Sequence, residues 1–80
     1  MNPAYTQRIS INPDVMVGKP VIQGTRIPVD LIVRMLAQGL SEEAILGEYP
    51  NLTTEDIHAA LAYAADVVAG ETFLPLPVTA

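Results

Sequence analysis

The chain is 80 residues long, half of them hydrophobic and 16% charged, with a formal net charge of −5 and no cysteine. That composition excludes a disulfide scaffold and a thiolate zinc site, the usual staples of small domains, and leaves association with a second copy as the remaining way to cover surplus apolar surface. No basic segment with a following apolar run of about 7–15 residues comes after Met1, and no stretch approaches the roughly 18 apolar residues that cross a bilayer, so a cytoplasmic location with no membrane contact is expected.

Charge is unevenly spread. All four bases, Arg8, Lys19, Arg26 and Arg34, lie within the first 34 residues against only Asp14 and Asp30, whereas residues 35–80 hold seven acids and no Lys or Arg. Such a split suits a molecule with one weakly basic and one acidic face, although charges scattered over a solvated surface would read the same way.

From Arg8 to Val29 the pattern is that of short strands or a small hairpin. Ile9 and Ile11 alternate with polar neighbours, and Val21–Ile22 is followed by Gln23–Gly24, a pair suited to a type II turn because glycine tolerates the positive φ required there. Pro13, Pro20 and Pro28 keep these strands short or at an edge. Pro28 then opens a first helix in which Leu31, Ile32, Met35 and Leu36 form the apolar stripe, Asp30, Arg34 and Gln38 line the other face, and Asp30 and Arg34 are four apart and able to pair. Gly39 terminates it. Ser41 follows as an N-cap, with Glu42 and Glu43 at the positive end of a second helix and Leu40 and Ile45 at staple positions; Pro50 stops this helix near Tyr49.

Leu52, Thr53, Asp56 and Ile57 repeat the same start signal, a cap with a staple and an acid placed to reach back. The third helix is expected to run to about Ala69, ended by Gly70. Ile57, Ala60, Leu61, Ala64 and Val68 make its predicted core stripe. Ala59, Tyr63 and Val67 make a second one, which leaves only a narrow polar line near Glu55, His58 and Asp66. A helix apolar on two sides faces both its own core and another subunit, so a homodimer with Tyr63 and Val67 at or near the interface is expected. The tail, residues 71–80, contains Pro75 and Pro77 and is read as extended; Phe73, Leu74, Leu76 and Val78 are too apolar for a solvated end, so they pack back on the domain or dock elsewhere.

Catalytic chemistry finds little support. A single histidine and no cysteine exclude the usual zinc clusters and His-bearing nucleophile triads within one chain. His58 reads as an ordinary helix-surface histidine, and Glu42, Glu43, Glu55 and Asp56 sit where helix starts recruit acids. Gly18 to Gly24 lacks the spacing of a nucleotide loop. No catalytic residue, metal ligand or cofactor site is assigned. Two short capped helices behind a longer one fit a helix-turn-helix unit, and the overall expectation is a mainly α fold: a three-helix, homeodomain-like core over residues 1–70, with a short N-terminal β element and an extended C-terminal tail. The start of the third helix offers acids and no base for guanine, so candidate DNA contacts fall to Lys19, Arg26 and Arg34, with surface ion pairing as the competing use of the two arginines.

The run Gly18-Lys19-Pro20-Val21-Ile22-Gln23-Gly24-Thr25-Arg26-Ile27-Pro28-Val29, with Gly39-Leu40-Ser41 and Tyr49-Pro50-Asn51-Leu52-Thr53 after it, closely resembles the prokaryotic domain of unknown function 433 family. The likeness extends from about Arg8 to Val68. It implies a homeodomain-like helical fold with a short β element and a frequent role as an antitoxin, similar to VapB-type proteins, beside a toxin of PIN-like nuclease fold. On that footing Phe73, Leu74 and Leu76 are candidate toxin anchors, the complex is a candidate repressor of its own promoter at operator DNA, and no enzymatic activity is expected. A stand-alone DNA-binding regulator and a structural dimerisation module remain the alternative readings.

Overall fold

A computed structural model describes residue 5, residues 7–14 and residues 18–70. Two three-residue strands, β1 (Ile9–Ile11) and β2 (Pro20–Ile22), precede three helices, α1 (Val29–Ala37), α2 (Glu42–Glu48) and α3 (Thr54–Gly70). The strands pair antiparallel with Ile9 opposite Ile22 and Ile11 opposite Pro20, so proline falls where its missing donor interrupts the ladder least, at the strand's first position.

Local chemistry explains most of the boundaries. Gly24 has φ +80°, and the Thr25 N–H donates to the Ile22 carbonyl at 2.9 Å, which closes the expected tight turn. The Thr25 hydroxyl donates to the same carbonyl and accepts from the Ile27 N–H, and the chain returns along β2 through a bridge between Val21 and Pro28. Pro28 stands just outside α1 in an extended conformation rather than within its first turn.

At the far end of α1, Gly39 has φ +95°. Its N–H donates to the Leu36 carbonyl, and the Leu40 N–H donates to that of Met35. This pair of reversed bonds is a Schellman motif, which satisfies carbonyls that the helix leaves without partners. Ser41 caps α2 by accepting from the Ala44 N–H at 3.0 Å. Thr53 and Asp56 form a reciprocal box at the start of α3: the Thr53 hydroxyl accepts from the Asp56 N–H at 3.2 Å and the Asp56 carboxylate accepts from the Thr53 N–H at 3.0 Å.

The core is aliphatic, with Ile22, Ile32, Ile45 and Ile57 as its fully enclosed members and Leu52 close beside them. The predicted stripe of α1 holds for Ile32 and Met35, while Val29 is buried and Leu31 and Leu36 lie half-buried at the margin.

On α3 the expected core stripe is corrected. Ile57 and Ala60 are buried, but Leu61 is 39% and Val68 74% exposed, and Ala59 from the second stripe takes the inward position instead. Two causes act. At about 1.5 Å per residue, α3 runs for roughly 25 Å against roughly 13 Å for α1 and 10 Å for α2, more than its neighbours can close over, which leaves Val68 open. Leu61, on an inner turn, faces outward because the contacts of Tyr5 and Arg8 turn Ala59 and Ala60 into the core. No helix among the described residues is long and apolar enough to cross a membrane.

Candidate functional site

Three side-chain contacts dock the N-terminal segment on α3 and thereby fix which faces of that helix stay open. The Tyr5 ring meets Tyr63 edge-on at 5.2 Å and its hydroxyl donates to Asp66 at 2.8 Å, while Arg8 pairs with Asp56 at 3.0 Å. With Tyr63 held from one side by Tyr5 and Ala59 and Ala60 turned into the core, the far half of α3 approaches α1 without closing on it.

Between them lies an open groove of roughly 400 Å³ whose apolar lining includes Pro20, Val29, Val33, Tyr63, Val67 and Val68. Val29 and Val33 are one turn apart on α1 and Val67 and Val68 occupy the last turns of α3, so two helix faces supply the walls. Asp30 and Arg34 also line it. Asp30 lies 3.5 Å from the Arg34 Nε and 3.7 Å from the Lys19 Nζ, a chain of three exposed charges at the edge of the groove. Such long, exposed pairs are weak and easily re-paired.

The predicted site residues are distributed accordingly. Tyr63 and Val67, expected at a subunit interface, both line the groove. Lys19 and Arg34 share Asp30, which reduces the field that either offers to phosphate; Arg26 is exposed, and among the described residues no hydrogen bond or ion pair engages its side chain. Phe73, Leu74 and Leu76 lie outside the described residues.

Asp56 and Glu42 have structural employment. Asp56 serves the cap and Arg8, and Glu42 Oε2 sits 3.3 Å from His58 Nε2 across the two helices. Among the described residues no cluster of three or more His, Asp or Glu side chains is arranged to hold a metal ion. Sequence reasoning missed Pro20, Val29 and Val33 as groove residues and Tyr5 and Arg8 as docking residues. The available signal for the former was Val29 and Val33 recurring at helical spacing directly beside Asp30 and Arg34 on a face read as polar.

A short β element ahead of three helices, the last two joined as a helix-turn-helix unit, together with a groove that is apolar within and charged at its edge, defines a small helix-turn-helix-type domain. The chain belongs to the family described as "Protein of unknown function (DUF433)", whose model matches residues 9–64. It is 39% identical over 61 residues to the uncharacterized protein y4eO of Sinorhizobium fredii, covering 76% of this chain and 28% of that protein. An uncharacterized protein of Archaeoglobus fulgidus is 62% identical over 29 residues, which are 36% of this chain and 81% of the archaeal one. The crystal structure of a DUF433 member protein from Anabaena variabilis superposes with a TM-score of 0.75 at 37% identity, covering 81% of this chain and 64% of that one. The chain thus spans less than two thirds of the length of the Sinorhizobium and Anabaena relatives. Val67 and Val68 fall beyond the segment that the family model matches.

Proposed function

We propose that this chain is the antitoxin of a type II toxin-antitoxin pair, a cytoplasmic binding protein without enzymatic activity that masks a toxin of PIN-like nuclease fold. One observation carries the reading. The end of α3 leaves Val67 45% and Val68 74% exposed, and Phe73, Leu74 and Leu76 follow in the sequence after Gly70, Glu71 and Thr72. These are more apolar side chains than a single small domain needs outside its core, a surplus that a second protein can cover. Asp56 is engaged in capping and pairing and Glu42 stands beside His58, so neither is grouped with other acids for catalysis, which supports a binding role. The family resemblance supplies the class of partner.

The test is co-expression with the product of the adjacent reading frame. Growth arrest by that product alone, relieved by this chain and restored by Phe73→Asp with Leu76→Asp, is the expected outcome. A neighbour whose product neither binds the chain nor inhibits growth overturns the reading.

A second role, operator binding by the complex, is favoured by the helix-turn-helix arrangement of α2 and α3 and by Arg26, whose exposed side chain has no ion pair among the described residues. It predicts specific duplex binding that weakens steeply with salt. The same measurement on the chain alone separates an antitoxin from a stand-alone regulator.

A further inference from the structure

We infer that the groove between α1 and α3 is closed by a second copy of this chain related by a twofold axis, the projecting ridge of α3 from each copy seated in the groove of the other. The pairing takes up Val67 and Val68, which the toxin reading also draws on, and leaves Phe73, Leu74 and Leu76 to the toxin; its own test, self-association of the chain alone, does not depend on a toxin.

Each copy carries both halves of the contact. Leu61, Ala65 and Val68 are exposed at spacings of four and three, which aligns them as one ridge along α3, with small Ala65 in the middle allowing a neighbouring helix to come close. The groove beside this ridge is walled by Val29 and Val33 of α1 and by Tyr63, Val67 and Val68 of α3, so Val68 stands at the lip where ridge and groove meet. A surface that contains a ridge and its own matching groove is complementary to itself, which is the requirement of an isologous interface, and the pair then closes without leaving either half exposed.

The charges at the edge choose among occupants. A nucleic acid demands excess positive charge, and a strongly basic or acidic protein demands excess of the opposite sign. Here one acid, Asp30, stands beside two bases, Lys19 and Arg34. The inferred axis passes beside residues 30–34, so that Asp30 of one copy stands opposite Arg34 of the other, and the reverse, and this one pair of residues serves both sides, with Lys19 beside it at the solvent edge. Their present contacts, at 3.5 and 3.7 Å and open to solvent, are loose enough to be exchanged for pairs across the interface.

Sedimentation equilibrium of the full chain at micromolar concentration reads the result. A dimer is expected, and Val68→Glu, at a position mostly exposed in the single copy, converts it to a monomer with unchanged helical circular dichroism. Asp30→Arg alone and Arg34→Asp alone each weaken self-association on the order of tenfold. An equimolar mixture of these two variants recovers the affinity as a heterodimer, because the arginine introduced at 30 then faces the aspartate introduced at 34, and the two native charges face each other. A monomeric wild-type chain overturns the inference, as does a dimer indifferent to Val68→Glu. It is also overturned if self-association appears only after Phe73→Asp with Leu76→Asp, which would show the groove to be filled by the chain's own residues 71–80.

Discussion

Arg8 and Asp56 are 48 residues apart in sequence, yet the guanidinium meets the carboxylate at 3.0 Å while the other carboxylate oxygen caps α3 through the Thr53 N–H. One side chain, 8% exposed as a residue, thus starts the longest helix and anchors the β element to it.

Removing that carboxylate is expected to do more harm than removing its partner. Asp56→Ala loses both the cap and the ion pair and should destabilise the fold by about 2 kcal/mol. Asp56→Asn keeps an acceptor for the Thr53 N–H and should lose about half as much. Arg8, with its side chain 43% exposed, contributes a partly screened charge, so Arg8→Ala should cost about 1 kcal/mol. Urea denaturation of the three variants and of the Arg8→Ala/Asp56→Ala double variant checks the order; the double variant should lose less than the sum of its parts.

Two glycines should respond to the same substitution with opposite sign. Gly39 terminates α1 at φ +95°, so Gly39→Ala should destabilise by about 1 kcal/mol through backbone strain alone, since open space surrounds the added methyl. Gly47 lies within α2 at ordinary helical φ with equally open surroundings, and Gly47→Ala should stabilise by roughly 0.5–1 kcal/mol. Thermal melts of both variants decide the matter.

Core truncation offers a check on where the packing is concentrated. Ile45→Ala removes a fully enclosed side chain from the short α2 and should cost about 2–5 kcal/mol, a large part of the stability of a small domain. Leu61→Ala, at a position expected from periodicity to be core but found half-open, should cost less than about 1 kcal/mol in the isolated chain. Equal losses at the two sites in the monomeric Val68→Glu background would contradict the orientation of α3.

Duplex binding, if carried by the basic residues, should depend on them unequally. Arg26→Ala removes a cation that pairs with no acid among the described residues and should flatten the slope of log affinity against log salt by about 0.9. Lys19→Ala removes one that already faces Asp30 and should change it less. Fluorescence anisotropy with a labelled duplex over a salt series reads both.

The features legible in the sequence are those decided by one or two neighbouring residues. Gly24 in its turn, Gly39 in the Schellman motif, Ser41 as cap and Thr53 with Asp56 as a reciprocal box all follow from local backbone requirements, and the helices fall between them. The direction in which α3 turns is not local. With apolar residues on two sides and several alanines among them, Leu61 and Ala59 were equally eligible for the core, and the choice was made by Tyr5, Arg8 and α1. The groove stayed hidden for the same reason. Val29 and Val33 acquire meaning only once the overhang of α3 stands beside them.

The contact of Tyr5 with Asp66 spans 61 residues, and it sets an order of events during synthesis. The segment around Tyr5 leaves the ribosome long before the last turns of α3 exist, so it waits without its destination while the local helices can already form and fray. Closing so long a loop has to precede the reward from the contacts it makes. Docking of this leading segment is therefore expected to come late, and until it does Ile9, which is carried by that segment, lacks the cover it has in the folded domain.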